Sequence, residues 1–281
     1  MSKIRIAVIT AFLFALPLQA QVRRGSLVVW IVSKKADYVA IGAESRTVDG
    51  AGNLIDDRAC KVISLGGDTL FFATGATDAS ANLGESWSSR ETARAAYILS
   101  KNRDALSLIN IWRMRALHWF QNLPKQELQN HATKPNESLA SGGFVKFGNK
   151  EEQFFEYVEI FYNTSNRTVD AKTFSASPGE VRSAGEGYEL LQEFFDRKTD
   201  RAIRAFGPAS TALSIDPAVD ARVIQKGIKF AMDNAVGQIK SVLGGDIDIA
   251  IIHKDRTIEW VARKPLCNQQ DLKPTPLSKK R

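Results

Sequence analysis

An α+β fold, made of antiparallel sheets with helices laid on their faces, follows from three observations on the sequence. The elements come in blocks, strands, two helices, strands, two helices, strands, and not in the strict alternation that builds a parallel sheet. The segments Val62–Leu65 and Leu70–Ala73 are apolar on both faces, so they need cover on both sides. The chain has 281 residues, 44% hydrophobic and 25% charged, which suffices for a proper core and excludes disordered, collagenous and coiled-coil classes.

Each element has its own signal. Ser26 to Val32 (SLVVWIV) and Tyr38 to Ser45 (YVAIGAES) are strand-like runs around the polar turn SKKAD, which makes a hairpin. The stretch RTVDGAGNLIDD is turn-rich. CKVISLGG and TLFFATGA follow as two further strands separated by Gly67-Asp68. Thr77 and Asp78 offer N-caps ahead of a helix over Glu91 to Ser100, and Asp104 opens a second helix ending near Pro124. Strands return in GGFVKFG, EEQFFEYVEIFYN and TVDAKTFSAS. Ser183 to Gly187 leads into a helix over YELLQEFFDRKTDRAIRAF, and a longer helix runs from about Asp216 to Leu243, where Gly244-Gly245 stops it. DIDIAIIHKD and TIEWVARK form a closing hairpin, and the polar tail from Leu266 is expected to fray.

The net charge of +7 is placed at the ends. Lys3, Arg5, Lys273, Lys279, Lys280 and Arg281 carry most of it, and without them the body is close to neutral. The clustered basic patch that neutralises phosphates is missing, so no nucleic-acid partner is expected. Lys3 and Arg5 precede the apolar run Ile6 to Leu18, which ends at Ala20, the pattern of a secretory signal over residues 1–20. The run is too short for a spanning helix, which needs about 20 apolar residues. A secreted or periplasmic location is therefore expected, with no membrane attachment once the signal is cleaved. Export puts Cys60 and Cys267 where a bridge can form, although spacing alone does not choose between a bridge and two thiols. His118, His131 and His253 are scattered, so neither a metal site nor a cofactor is expected.

The segments VVWIVSKKADYVAIGAESRTVDG and CKVISLGGDTLFFATGATD carry a resemblance. A first hairpin ends in the acidic-Ser-Arg triplet Glu44-Ser45-Arg46, with Gly50 shortly after. Lys61-Val62-Ile63 and the set Ala73, Gly75 and Asp78 follow, then Ser183 to Gly187, then Leu243-Gly244-Gly245-Asp246 before the closing hairpin. Together these resemble the proteasome β subunits and their bacterial proteasome-like relatives, N-terminal nucleophile (Ntn) hydrolases, with this chain as a divergent secreted member. The resemblance spans Ser26 to Lys264. It implies an αββα four-layer sandwich of two antiparallel sheets flanked by helices, and assembly into a homo-oligomer. It spans one domain, residues 26–264, as the lack of an internal linker also indicates; removal of residues 21–25 as a propeptide would follow if Ser26 is processed, and the charged, Pro-containing end reads as a basic, flexible tail over 265–281.

In that family the hydroxyl of the first mature residue attacks an amide carbonyl while its free amine takes the proton. A lysine ammonium lowers neighbouring pKa values, and a carboxylate holds the lysine. By position, Lys61 is that cation, and Glu44 stands where the family usually has Asp, one methylene or about 1.5 Å longer. Counting back from Glu44 without gaps lands on Val28, which is unreactive; Ser26, after Gly25, fits if the hairpin loop is two residues longer. The implied activity is a serine-type peptidase or amidohydrolase acting on a peptide or small amide. Three departures stand against it: Glu186 for a family serine, and Lys240 and Leu243 where Asp and Ser precede the Gly-Gly. The alternative is a degenerate structural or binding protein in which Glu44 and Lys61 form an ordinary salt bridge and Ser26 merely starts a strand.

Overall fold

The computed structural model describes residues 21–23, 27–49, 52–80, 86–101, 103–123, 128, 138–148, 154–207 and 213–272. Residues 1–20, where a secretory signal is expected, Ser26 and the last nine residues fall outside them. The strands are β1 (Gln21–Arg23), β2 (Leu27–Val32), β3 (Tyr38–Glu44), β4 (Thr47–Val48), β5 (Leu54–Asp56), β6 (Val62–Leu65), β7 (Thr69–Gly75), β8 (Asp78–Ser80) and β9 (Ser86–Ser88). After the helices α1 (Ser89–Leu99) and α2 (Ala105–Gln121) come β10 (Ser138–Val145), β11 (Phe155–Asn163), β12 (Thr168–Ser175) and β13 (Val181–Gly185). The second helical block is α3 (Tyr188–Asp196), α4 (Asp200–Phe206), α5 (Pro217–Asn234) and α6 (Gly237–Val242). β14 (Ile247–His253), β15 (Ile258–Ala262) and a 3-10 turn (Pro265–Gln269) close the chain.

The fold is α+β with antiparallel sheets. One five-stranded sheet has the order β13-β2-β3-β14-β15, the other β12-β11-β10-β7-β6. β2 shows why its sequence is apolar throughout. Val28, Trp30 and Val32 join Val62, Leu70, Phe72 and Tyr157 of the other sheet in one apolar cluster, whereas Leu27, Val29 and Ile31 meet Ala221, Ile224 and Ile228 of α5. Trp30 sits among Phe72, Phe155 and Tyr157, with ring centroids 5.1 to 5.4 Å apart. The other sheet repeats the pattern: Ile63, Phe71 and Phe144 pack against Leu108, Trp112 and Phe120 of α2. The expectation of two-sided cover for Val62–Leu65 and Leu70–Ala73 thus holds. Gly42 lets α5 approach β3, because a Cβ there would collide with Ile224 Cγ2.

Four details differ from the sequence reading. The N-cap of α1 is Ser88, not Thr77 or Asp78; its Oγ accepts the N–H of Glu91 at the third helical position. The helix expected over residues 188–206 breaks at Arg197, whose φ is 52°, and restarts at the N-cap Thr199. The longer one breaks after Asn234, so α6 is a separate turn. The tail does not fray at Leu266. Cys267 is bonded to Cys60, and Leu272 pairs in parallel with Leu65, so the chain is pinned through residue 272.

Candidate active site

Glu44 ends β3 opposite Ile247 of β14 and is fully buried. Its Oε1 accepts the Leu27 N–H at 3.0 Å, and Oε2 accepts those of Arg46 at 2.7 Å and Gly244 at 3.2 Å. Two motifs far apart in sequence are therefore locked together. Gly244 O accepts from Ser45 N and Arg46 N, Arg46 forms a two-point ion pair with Asp57, and Ser45 Oγ donates to Asp57 O. Gly245, at φ 77°, is required: a Cβ would collide with Ser45 Oγ and the Asp57 carbonyl.

Lys61 lies immediately before β6 and is buried; its Nζ donates to Thr47 Oγ1 at 3.0 Å. Burial pushes the Glu44 carboxyl up to about 7, against the pull of Lys61 and of the three N–H donors. Burial likewise brings the Lys61 ammonium down to about 8, opposed mainly by Glu44 and then Asp78. Each residue is the largest charge acting on the other, and burial moves the carboxyl up and the ammonium down, so the two draw together in proton affinity. A small cleft of about 20 Å³ beside Lys61 is lined by Ala59, Cys60, Lys61, Ala73, Thr77, Asp78 and Arg90.

Of the three residues singled out from the sequence, the structure thus brings Glu44 and Lys61 into one electrostatic unit. Ser26 is outside the described residues, but it is peptide-bonded to Leu27, whose N–H is held by Glu44. Leu243, one of the departures, is core: it packs against Ile239 and Gly187. Sequence reading missed Thr47, Asp248 and Lys264; only the spacing of Thr47 from the Glu44-Ser45-Arg46 triplet offered any signal. No group of three or more His, Cys, Asp or Glu able to hold a metal is present among the described residues. Cys60 and Cys267 are joined in a disulfide, with Cα atoms 5.6 Å apart, which resolves the choice the spacing left open.

No family model matches the chain, and no curated protein matches it. Among solved structures it is similar to the Gly-1 mutant of Anbu from Hyphomicrobium sp. strain MC1, with a TM-score of 0.44 and 11% identity, over 88% of this chain and 91% of that one. Likeness at that level transfers neither family nor activity, so the functional reading rests on this chain's own residues.

Proposed function

We propose that this protein is a proteasome-like Ntn hydrolase with the αββα sandwich, a peptidase or amidohydrolase. Ser26 is its nucleophile, Lys61 its pKa-tuning cation and Glu44 the carboxylate that orients them. One observation supports the reading: a buried carboxylate, within electrostatic reach of a buried lysine, holds the first amide after Ser26. Cleavage between Gly25 and Ser26 would free an amine one residue from that carboxylate, where the Lys61 charge favours its neutral, proton-accepting form. The substrate is a peptide or small amide, and the protein is a secreted or periplasmic homo-oligomer. The disulfide supports export, since such bonds persist in oxidising compartments. Among the described residues no helix is long and apolar enough to cross a membrane.

A second reading is favoured by β1. Gln21–Arg23, which the enzyme must shed, pairs with β8 from Gln21↔Ser80 to Arg23↔Asp78. A strand built into a sheet suits a chain that keeps it, a structural or binding protein without chemistry. The intact mass of the mature protein separates the two. A chain beginning at Ser26, together with at least about 100-fold loss of peptide hydrolysis in Lys61→Ala, supports the hydrolase. A mature chain that still carries Gln21-Val22-Arg23-Arg24 leaves Ser26 acylated and removes catalysis.

A further inference from the structure

The segment after β15 does more than end the chain. β6 is the edge strand of its sheet and begins one residue after Lys61. Its free edge is covered by the strap Arg263–Leu272. Arg263 Nη1 donates to Val62 O at 2.8 Å, Ser64 N donates to Asp271 Oδ1 at 2.8 Å, Leu272 N to Ser64 O at 2.9 Å and Gly66 N to Leu272 O at 2.7 Å. The strap is braced internally by the Arg263–Asp271 ion pair at 2.7 Å, and from α1 by Arg90 and Arg94, which donate to Gln270. Its covalent anchor, Cys267–Cys60, reaches the residue next to Lys61.

Inside the strap, Lys264 is buried against fully buried Asp248, with Nζ 2.6 Å from Oδ2 and the Lys264 N–H donating to Oδ1 at 3.0 Å. A buried ion pair is costly to desolvate and is often no more stabilising than apolar residues of the same volume, so stability alone is a weak reason for it. Its position is informative. Asp248 pairs with Ala43, next to the Glu44↔Ile247 pair, and the Cys267 sulfur lies 3.7 Å from Asp248 Oδ2. Strap, disulfide and ion pair thus converge behind the Glu44–Lys61 unit.

We propose that the disulfide-anchored strap, locked in place by the buried Lys264–Asp248 ion pair, is the positioning element of Lys61. This rests on reading Lys61 as the cation of the site. The charged groups that act on Lys61 come from four elements: Glu44 of β3, Asp78 of β8, Arg90 of α1 and Lys264 of the strap. The two carboxylates favour its charged form. Arg90 and Lys264 oppose it, and of these two Lys264 is tied by the disulfide to the backbone beside Lys61. Lys264 is a positioning residue, since it acts through Lys61.

The test reads Lys61 directly and needs no substrate. The full-length protein is labelled at the lysine Cε carbons, the Lys61 resonance is assigned with Lys61→Arg, and its titration is followed by NMR. In Lys264→Met/Asp248→Asn, which removes the lock without leaving a buried unpaired carboxylate, the loosened strap admits water to Lys61 and the midpoint rises by roughly half a pH unit or more, whereas Lys264→Arg keeps the wild-type value. Opening the tether with Cys60→Ala/Cys267→Ala moves it the same way by less, and this variant decides the matter if the double variant does not fold. A midpoint unmoved in the folded variants overturns the role of the strap. A wild-type Lys61 that titrates in the ordinary lysine range overturns instead the reading of Lys61 as the tuned cation, so the two failures are distinct.

Discussion

The two ends of strand β3 each bury a carboxylate. At the Tyr38 end, Asp220 accepts the Tyr38 hydroxyl at 2.6 Å and the Ser214 N–H at 3.1 Å on each oxygen. At the other end Glu44 accepts three backbone N–H groups. Burial is the main cause that raises both carboxyls above their usual range. A displaced pKa therefore reports burial at both ends and cannot by itself mark the site. What separates them is the company: Asp220 is held by uncharged donors and ties the first turn of α5 to β3. Glu44 is under the charge of a buried ammonium, holds the N–H of Leu27, the residue bonded to Ser26, and its partner Lys61 lines a small cleft.

Truncation should expose that difference most strongly. Glu44→Ala leaves Lys61 as a buried charge without its main counter-ion and takes the carboxylate acceptor from the Leu27 and Gly244 N–H groups, while the Arg46 N–H keeps Gly244 O. It should destabilise the fold by about 3–5 kcal/mol in urea unfolding at pH 7. Asp220→Ala loses neutral hydrogen bonds only and should cost about 1–3 kcal/mol. Equal losses would mean that Lys61 places no electrostatic demand on Glu44, and the two ends would then be alike.

The pH dependence sharpens the contrast. Between its ordinary 4.5 and about 7 Glu44 keeps a proton in the folded protein that the unfolded chain has released. Stability therefore falls as pH rises through this window and recovers as pH drops. Relative to Glu44→Gln, which has no such group, wild type should gain about 1–3 kcal/mol from pH 7 to 4.5. Asp220 gives a limb of the same sign. In Lys61→Met the Glu44 limb should move to higher pH, because the charge that most lowers Glu44 is gone, while the Asp220 limb stays in place. Unfolding curves collected from pH 4 to 8 in both backgrounds check this, and two limbs that shift together would contradict it.

How much of this was legible depends on the length scale of each signal. Strands such as Leu27–Val32, with both faces apolar, and helices opened by Asp104 or Asp216-Pro217 announce themselves. The two- and three-residue strands β1, β4, β5, β8 and β9 are too short to show a period, so the segments that flank the site read as turns. The break at Arg197 has neither Gly nor Pro to signal it. Glu44 and Lys61 stand out in the sequence because they sit in motifs with fixed order. Asp248 and Lys264 were not, because a buried pair in a strand and a tail looks like ordinary surface charge until the disulfide brings the tail in.

The smallest expected effect is also the cleanest control. Tyr38→Phe removes one hydroxyl and leaves Asp220 its Ser214 N–H, so the fold should lose about 1 kcal/mol. Tyr38 and Glu44 are the first and last residues of β3, about 20 Å apart along an extended strand. Tyr38→Phe changes no formal charge, and the field of the neutral hydroxyl dipole it removes falls off faster with distance than that of an ion. The Lys61 titration followed by NMR should therefore stay at its wild-type midpoint in Tyr38→Phe while the melting temperature drops. A Lys61 midpoint that moves with the melting temperature would show that β3 transmits between its ends. In that case the effects of Glu44 and Lys264 variants on Lys61 would have to be read as global loosening, not as local charge.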